Sequence, residues 1–198
     1  MQLLIEDPSI VGITIFVRKK FPFDNPKLKQ VVVDFDKLES YLEHFKVDHV
    51  FCCLGTTIRV AGSKEAFTKV DFTYVVRSAE IAKTQGVKSF SVISSMGANA
   101  FSGIFYNQVK GKMENELQKI GFDTLQIFRP SLLLGQRKEV RRGEKVGEYL
   151  SKVFSFAFVK GIKKYKPIQA SLVAKSMLDY AKDKTLGFQI IESDKMNI

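Results

Sequence analysis

The chain has 198 residues, enough for one domain with a real core and no need of disulfide or metal staples. With 45% hydrophobic and 26% charged residues it is neither intrinsically disordered nor of low complexity, and no apolar run approaches the ~18 residues that cross a bilayer. The net charge of +10 suits an anionic partner but is concentrated late: positions 137–166 hold ten Lys and Arg against three Glu.

Met1 is not followed by a basic stretch and a long apolar segment, so no secretory signal is visible. The two cysteines, Cys52 and Cys53, are adjacent and cannot form a disulfide framework or a four-ligand zinc site. They read as small core residues, and a cytoplasmic setting is expected. His44 and His49 have no companion ligands, so no metal is expected.

Along the chain, strands alternate with helices. Gly12 to Val17 is a β-rich run after the turn signal Asp7-Pro8, and Val31 to Val33 runs on into Asp34-Phe35 as a second strand. Leu38, Tyr41, Leu42 and Phe45 recur at helical spacing over residues 36–45. A buried-strand pattern covers His49 to Leu54 and stops at Gly55; Thr56 to Ser63 reads as a loop. A long helix is expected from Lys64 to Gln85, closed by Gly86, then a strand from Val87 to Ile93 ending in Ser94-Ser95. A helix over Ile104 to Ile120, closed by Gly121, leads to a strand at Thr124 to Phe128 before Arg129-Pro130. A basic loop, a helix over residues 146–158, a helix from Leu172 to Lys182 and a strand from Gly187 to Ile191 complete the chain.

Strands joined by helices of this length imply right-handed crossovers and a mostly parallel sheet with helices on both faces. One α/β domain spanning residues 1–198 is expected, with residues 136–170 forming a basic lobe beside the ligand. Phe154, Phe156 and Phe158 among lysines read as a helix packing an apolar face beneath charged stems. Polyanion binding is the alternative for this stretch, and it would fall steeply with salt. Ligands of such sheets sit at the carboxyl ends of the strands, which directs attention to the residues after Val17, Val33, Leu54, Ile93 and Phe128.

Tyr106 and Lys110 stand one helical turn apart and so share a face. An ammonium beside a phenol favours the phenolate, as a general acid near neutral pH requires. Spacing alone is weak, since Tyr180 and Lys184 repeat it. Context separates the pairs: Tyr106 follows a strand ending in two serines, whose hydroxyls can polarise a carbonyl oxygen that the tyrosine protonates.

Several segments occur in a specific order: Asp34-Phe35-x-Lys37-Leu38, then Phe51-Cys52-Cys53-Leu54-Gly55-Thr56-Thr57, then Val70-Asp71-x-x-Tyr74-Val75-x-x-Ser78-Ala79-Glu80-x-Ala82-Lys83. They continue with Ser94-Ser95-x-Gly97-Ala98, Tyr106-x-x-Val109-Lys110-Gly111 and Phe128-Arg129-Pro130. The series closely resembles the Tat-interacting protein family of atypical short-chain dehydrogenases/reductases, most clearly over residues 1–142. The resemblance implies a doubly wound NAD(P)-binding Rossmann fold and NADP(H) as cofactor. By position it implies that Tyr106 exchanges the proton and that Lys110 holds the nicotinamide ribose. Ser95, with Ser94 as the alternative, would polarise the substrate oxygen. It further implies that Arg18 and Lys19 face the adenosine 2′-phosphate, that Asp34 lies near the adenine, and that Leu54 and Gly55 pass beside the dinucleotide. Leu133 and Arg141 match further cofactor contacts. Charge alone agrees at Arg18 and Lys19, since an acid there would select a 2′-hydroxyl.

One departure stands out. The family opens with a strand and a Gly-x-x-Gly-x-x-Gly turn that seats the pyrophosphate on a helix N-terminus. Neither is found here, and Met1 to Glu6 reads as the end of the following helix. The strand at Gly12 to Val17 is then left without its neighbour before His49 to Leu54. The expectation is a chain that starts late, with poor dinucleotide affinity; direct pairing of the two strands is the alternative. The expected function is an NADP(H)-dependent oxidoreductase acting on a carbonyl or alcohol. The alternative is a nucleotide-binding regulator that engages a protein partner without turnover. Neither nucleic acid nor a transmembrane segment is expected.

Overall fold

The structure is a computed structural model that describes residues 1–134, 166–183 and 185–196. In chain order it contains α1 (Gln2–Glu6), β1 (Ile13–Val17), β2 (Leu28–Val32), a 3-10 segment (Phe35–Phe45), β3 (His49–Cys52), α2 (Ile58–Ala61) and α3 (Lys64–Thr68). A π turn (Lys69–Thr73) leads into α4 (Tyr74–Thr84), followed by β4 (Ser89–Ile93), α5 (Phe105–Ile120) and β5 (Thr124–Arg129). The short strands β6 (Leu133–Leu134) and β7 (Ile168–Gln169), then α6 (Ala170–Lys182), β8 (Gly187–Glu192) and a closing 3-10 turn (Ser193–Met196) complete the order. The helix expected over residues 146–158 and the basic lobe lie largely outside the described residues.

Every described strand pair is parallel. The main sheet has the order β3-β4-β5-β8, and β1 pairs β2 in a sheet of its own. Among the described residues β1 and β3 do not pair with each other. In a doubly wound order of 3-2-1-4-5-6, the place between them is that of the first strand.

Residue alternation builds two cores, one on each face of the main sheet. Phe90, Val92, Leu125 and Ile127 face the inner sides of α4 and α5, where Val75, Ala79, Met113 and Leu117 wait. Phe128 and Ile191 face the other way, onto Val173 and Met177 of α6. The α/β sheet with helices on both faces is thus realised as anticipated.

A buried polar chain stitches the strands. Ser91 Oγ donates to Gln126 Oε1 at 2.8 Å, so it accepts from His49 Nε2, also at 2.8 Å. Gln126 Nε2 donates onward to the Tyr180 carbonyl at 2.8 Å. Burial pushes the His49 imidazole down to about 4, which keeps it neutral and in this donor role.

Several local expectations are corrected. Residues 36–45 form 3-10 turns rather than one α-helix, because Lys37 and Tyr41 leave helical backbone values. The loop at 56–63 contains α2, started by the Thr57 side chain accepting from Val60 N–H and ended by Gly62 at φ 87°. The second strand begins earlier, at Leu28. Gln30 there bonds Phe21 and Phe23 backbone groups, which explains a polar residue inside a strand. Cys52 is buried in β3 but Cys53 is exposed, so only the first is a core residue. Burial pushes the Cys52 thiol up to about 12, the opposite of what thiolate chemistry requires.

Candidate functional site

Parallel register brings the ends of the strands to one edge. Cys52 lies level with Val92, and Val92 with Ile127, so Leu54-Gly55, Ser94-Ser95 and Arg129 emerge side by side. Helix α5 crosses behind them and carries Tyr106, Lys110 and Glu114 at four-residue spacing, one stripe of one face.

Lys110 is buried and its ammonium pairs with Asp71 Oδ1 at 2.8 Å. The Asp71 carboxylate, 1% exposed, also accepts the Thr56 N–H at 2.8 Å. It comes from the π turn, whose extra residue aims the side chain at the strand ends. Gly55 lies directly over this pair: a Cβ there would touch Asp71 Oδ1 at 3.4 Å. Tyr106 is half-buried, its ring 5.6 Å from that of Phe67. Lys110 and Tyr106 therefore share a face, while the ammonium is anchored to a carboxylate that the sequence did not mark as functional.

The two serines have different surroundings. Ser94 Oγ donates to Glu114 Oε1 at 2.5 Å. Arg129 grips the same carboxylate through Nε at 3.0 Å and its terminal nitrogen at 2.5 Å, and reaches Glu192 at 3.3 Å. The Glu114 hydrogen bond holds the Arg129 guanidinium above its ordinary value. Ser94 is thereby committed to a buried ionic network. Ser95 Oγ is buried and, among the described residues, has no hydrogen-bond partner. An orphaned hydroxyl at a strand end is costly unless a ligand or water completes it.

The loop after Ser95 is fixed against α5 by close packing. Ala98 N–H returns to the Ser95 carbonyl at 3.1 Å, and Asn99 N–H to the Asn107 carbonyl at 3.0 Å. Gly111 permits this approach, since a Cβ there would meet backbone atoms of Asn99 and Ala100 at 2.2 Å.

The other sequence-derived positions are more scattered. Arg18 and Lys19 are exposed just after β1. Asp34 is exposed, and its carboxylate caps the 3-10 segment by accepting Asp36 N–H at 3.0 Å. Leu133 lies in β6 against the α6-side core. Arg141 lies outside the described residues. Sequence reading missed Asp71, Glu114 and the role of Arg129. The four-residue stripe from Tyr106 through Lys110 pointed to Glu114; Asp71 had no comparable signal.

No family model matches the chain. It is 45% identical over 136 residues to protein HTATIP2 of Rattus norvegicus, spanning 67% of this chain and 56% of that protein's length. It is 35% identical over 180 residues to the mitochondrial protein FMP52 of Candida albicans, spanning 88% of this chain and 78% of the relative. At 15% identity the fold matches MoeE5 in complex with UDP-glucuronic acid and NAD, with a TM-score of 0.66 over 90% of this chain and 67% of that one. A Helicobacter pylori ADP-L-glycero-D-manno-heptose-6-epimerase gives a TM-score of 0.64 at 15% identity, over 96% of this chain and 72% of that one. These are Rossmann-type nucleotide-binding folds. The expected cytoplasmic setting is overturned, because relatives from Candida, Debaryomyces and Emericella are named as mitochondrial proteins. Addresses reside in short targeting segments, not in the composition of a fold's core. The order of motifs, the parallel sheet and the 35% identity over most of a relative's length place the chain in the HTATIP2/FMP52 family of atypical short-chain dehydrogenases/reductases.

Proposed function

We propose that the chain carries the catalytic half of an NADP(H)-dependent oxidoreductase. The observation that carries the reading is the buried hydroxyl of Ser95 at the end of β4, without a hydrogen-bond partner among the described residues and beside the helix that bears Tyr106 and Lys110. The strand-end residues suit a dinucleotide at both extremities. Gly55 leaves backbone open beside Lys110, and the exposed cations Arg18 and Lys19 suit a 2′-phosphate rather than a hydroxyl. A pyrophosphate seat is not built by the described residues. NADP(H) bound there would supply or accept the hydride. Ser95 Oγ donates a hydrogen bond to the substrate oxygen, and Tyr106 Oη gives that oxygen its proton on reduction or removes it on oxidation. Lys110 has three donors; Asp71 takes one, and the others are available to the ribose hydroxyls. Leu54 and Leu133 are assigned to the walls of the cofactor site, with Asp34 at its adenine end and Arg141 as a further contact.

The test is substrate-dependent NADPH oxidation over a panel of aldehydes and ketones. Tyr106→Phe is expected to lower kcat by roughly 10²–10⁴-fold, the contribution of a positioned general acid. Ser95→Ala is expected to lower kcat with stability unchanged. Ser94→Ala is expected to act chiefly on stability, through Glu114. Equal activity of the wild type and Tyr106→Phe would end the catalytic reading.

A second reading is supported by the Lys110–Asp71 pair, which holds the ammonium on a carboxylate instead of the phenol. It is a nucleotide-binding regulator without turnover that engages a protein partner. Cofactor binding without oxidation of any panel substrate is its expected signature.

A further inference from the structure

We infer that Gln30 is a positioning residue for nucleotide selectivity: its side-chain amide sets the loop after β1, so that the cations of that loop are held ready for the adenosine 2′-phosphate. This rests on the NADP(H) reading, in which Arg18 and Lys19 face that phosphate.

The loop leaves β1 after Val17 and rejoins the sheet at Leu28. Its near end is fixed by the ladder, since Val33 N–H donates to the Val17 carbonyl at 3.0 Å. Phe21 to Phe23 belong to no strand, and Gln30 supplies them with a partner. Gln30 lies level with Ile15, so its own backbone is held by the β1–β2 pairing. Its amide oxygen accepts Phe21 N–H at 3.2 Å, and its amide nitrogen donates to the Phe21 carbonyl at 3.0 Å and the Phe23 carbonyl at 2.9 Å. Both donor hydrogens are thereby used, and Phe21 is bonded through N–H and C=O as a neighbouring strand would bond it. Phe23 N–H returns to the Phe21 carbonyl at 2.8 Å, closing a tight turn about Pro22, whose ring already fixes φ.

Between the two anchors stand only Arg18, Lys19 and Lys20, three consecutive exposed cations. Among the described residues none of them forms a salt bridge. Like charges this close repel, so a free loop spreads them and an anchored one keeps them together for an anion. The anchored turn does little for the core, because Phe21 and Phe23 remain 36% and 43% exposed. Its ordering costs chain entropy that packing does not offset. What the order provides is pre-organisation: a loop that is competent only part of the time lowers the apparent affinity by that fraction.

The test titrates the ¹⁵N-labelled full chain with 2′,5′-ADP and with 5′-AMP, which differ only in the 2′-phosphate and need no pyrophosphate seat. The wild type is expected to bind 2′,5′-ADP more tightly, with amide shifts over residues 18–21. Gln30→Met keeps the length of the side chain and removes all three bonds. It is expected to weaken 2′,5′-ADP roughly fivefold, as for a loop competent about a fifth of the time, and to leave 5′-AMP unchanged. Pro22→Gly slackens the same turn with Gln30 in place and is expected to act in the same direction. Damage to the fold lowers both affinities together, so their ratio separates positioning from stability. The variant carrying Arg18→Ser and Lys19→Ser checks the underlying reading. If the wild type shows no preference for 2′,5′-ADP, or this variant keeps it, the reading of these cations fails and the inference with it. If this variant loses the preference while Gln30→Met keeps it, or weakens both ligands equally, the reading stands and the inference alone is overturned.

Discussion

Asp71→Ala is expected to destabilise the fold by about 3–5 kcal/mol, because it leaves the buried Lys110 ammonium without its counter-charge. Among the described residues these two buried charges are held by each other and by the Thr56 N–H, and removing one partner exposes the full desolvation cost of the other. Thr56 N–H also loses its acceptor. Urea denaturation of Asp71→Ala, Lys110→Met and the combination Asp71→Leu with Lys110→Met separates these contributions. The combined variant is expected to recover all but about 1–2 kcal/mol, the cost of the stranded Thr56 N–H. A loss below about 0.5 kcal/mol for Asp71→Ala, the range of ordinary surface changes, would show that the pair does not anchor the site.

Gly111→Ala is the second large effect, expected at about 3 kcal/mol, the upper range for forcing an atom into a packed interior. The added methyl meets backbone, not a flexible side-chain end, so the loop carrying Asn99 and Ala100 must lift from α5. That loop fixes Ser95 relative to Tyr106, so the site is expected to loosen with the fold. Calorimetry against Gly103→Ala makes the comparison, because a Cβ at Gly103 meets nothing within 4 Å among the described residues. Similar melting temperatures for the two variants would contradict the packing described here.

Much of the architecture is legible in sequence because it rests on local patterns. The apolar runs at Ser89 and Thr124 become buried strands, that at His49 a half-buried one, and Gly86 and Gly121 end helices at positive φ. What is not legible depends on long-range partners. Lys64 to Thr84 reads as one helix, and nothing in its periodicity announces the π turn that turns Asp71 inward. Ser94 and Ser95 are indistinguishable as neighbours in sequence. They separate only when Glu114, 20 residues on, claims the first, while the second has no partner among the described residues. Asp34, singled out for the adenine, also caps the 3-10 segment, a duty fixed by its local contacts. The sequence left open whether the strands at Gly12 and His49 pair directly; among the described residues they do not.

The account's central claim is that a phosphorylated dinucleotide binds across these strand ends. Fluorescence titration of the chain with NADPH, with NADH alongside, tests it most directly, repeated on the variant carrying both Arg18→Ser and Lys19→Ser. Both residues are exposed, so the variant leaves the core intact. The account predicts saturable binding that favours NADPH, with the variant losing roughly tenfold for NADPH and little for NADH. No binding of either nucleotide, or NADPH affinity unchanged in the variant, would contradict it.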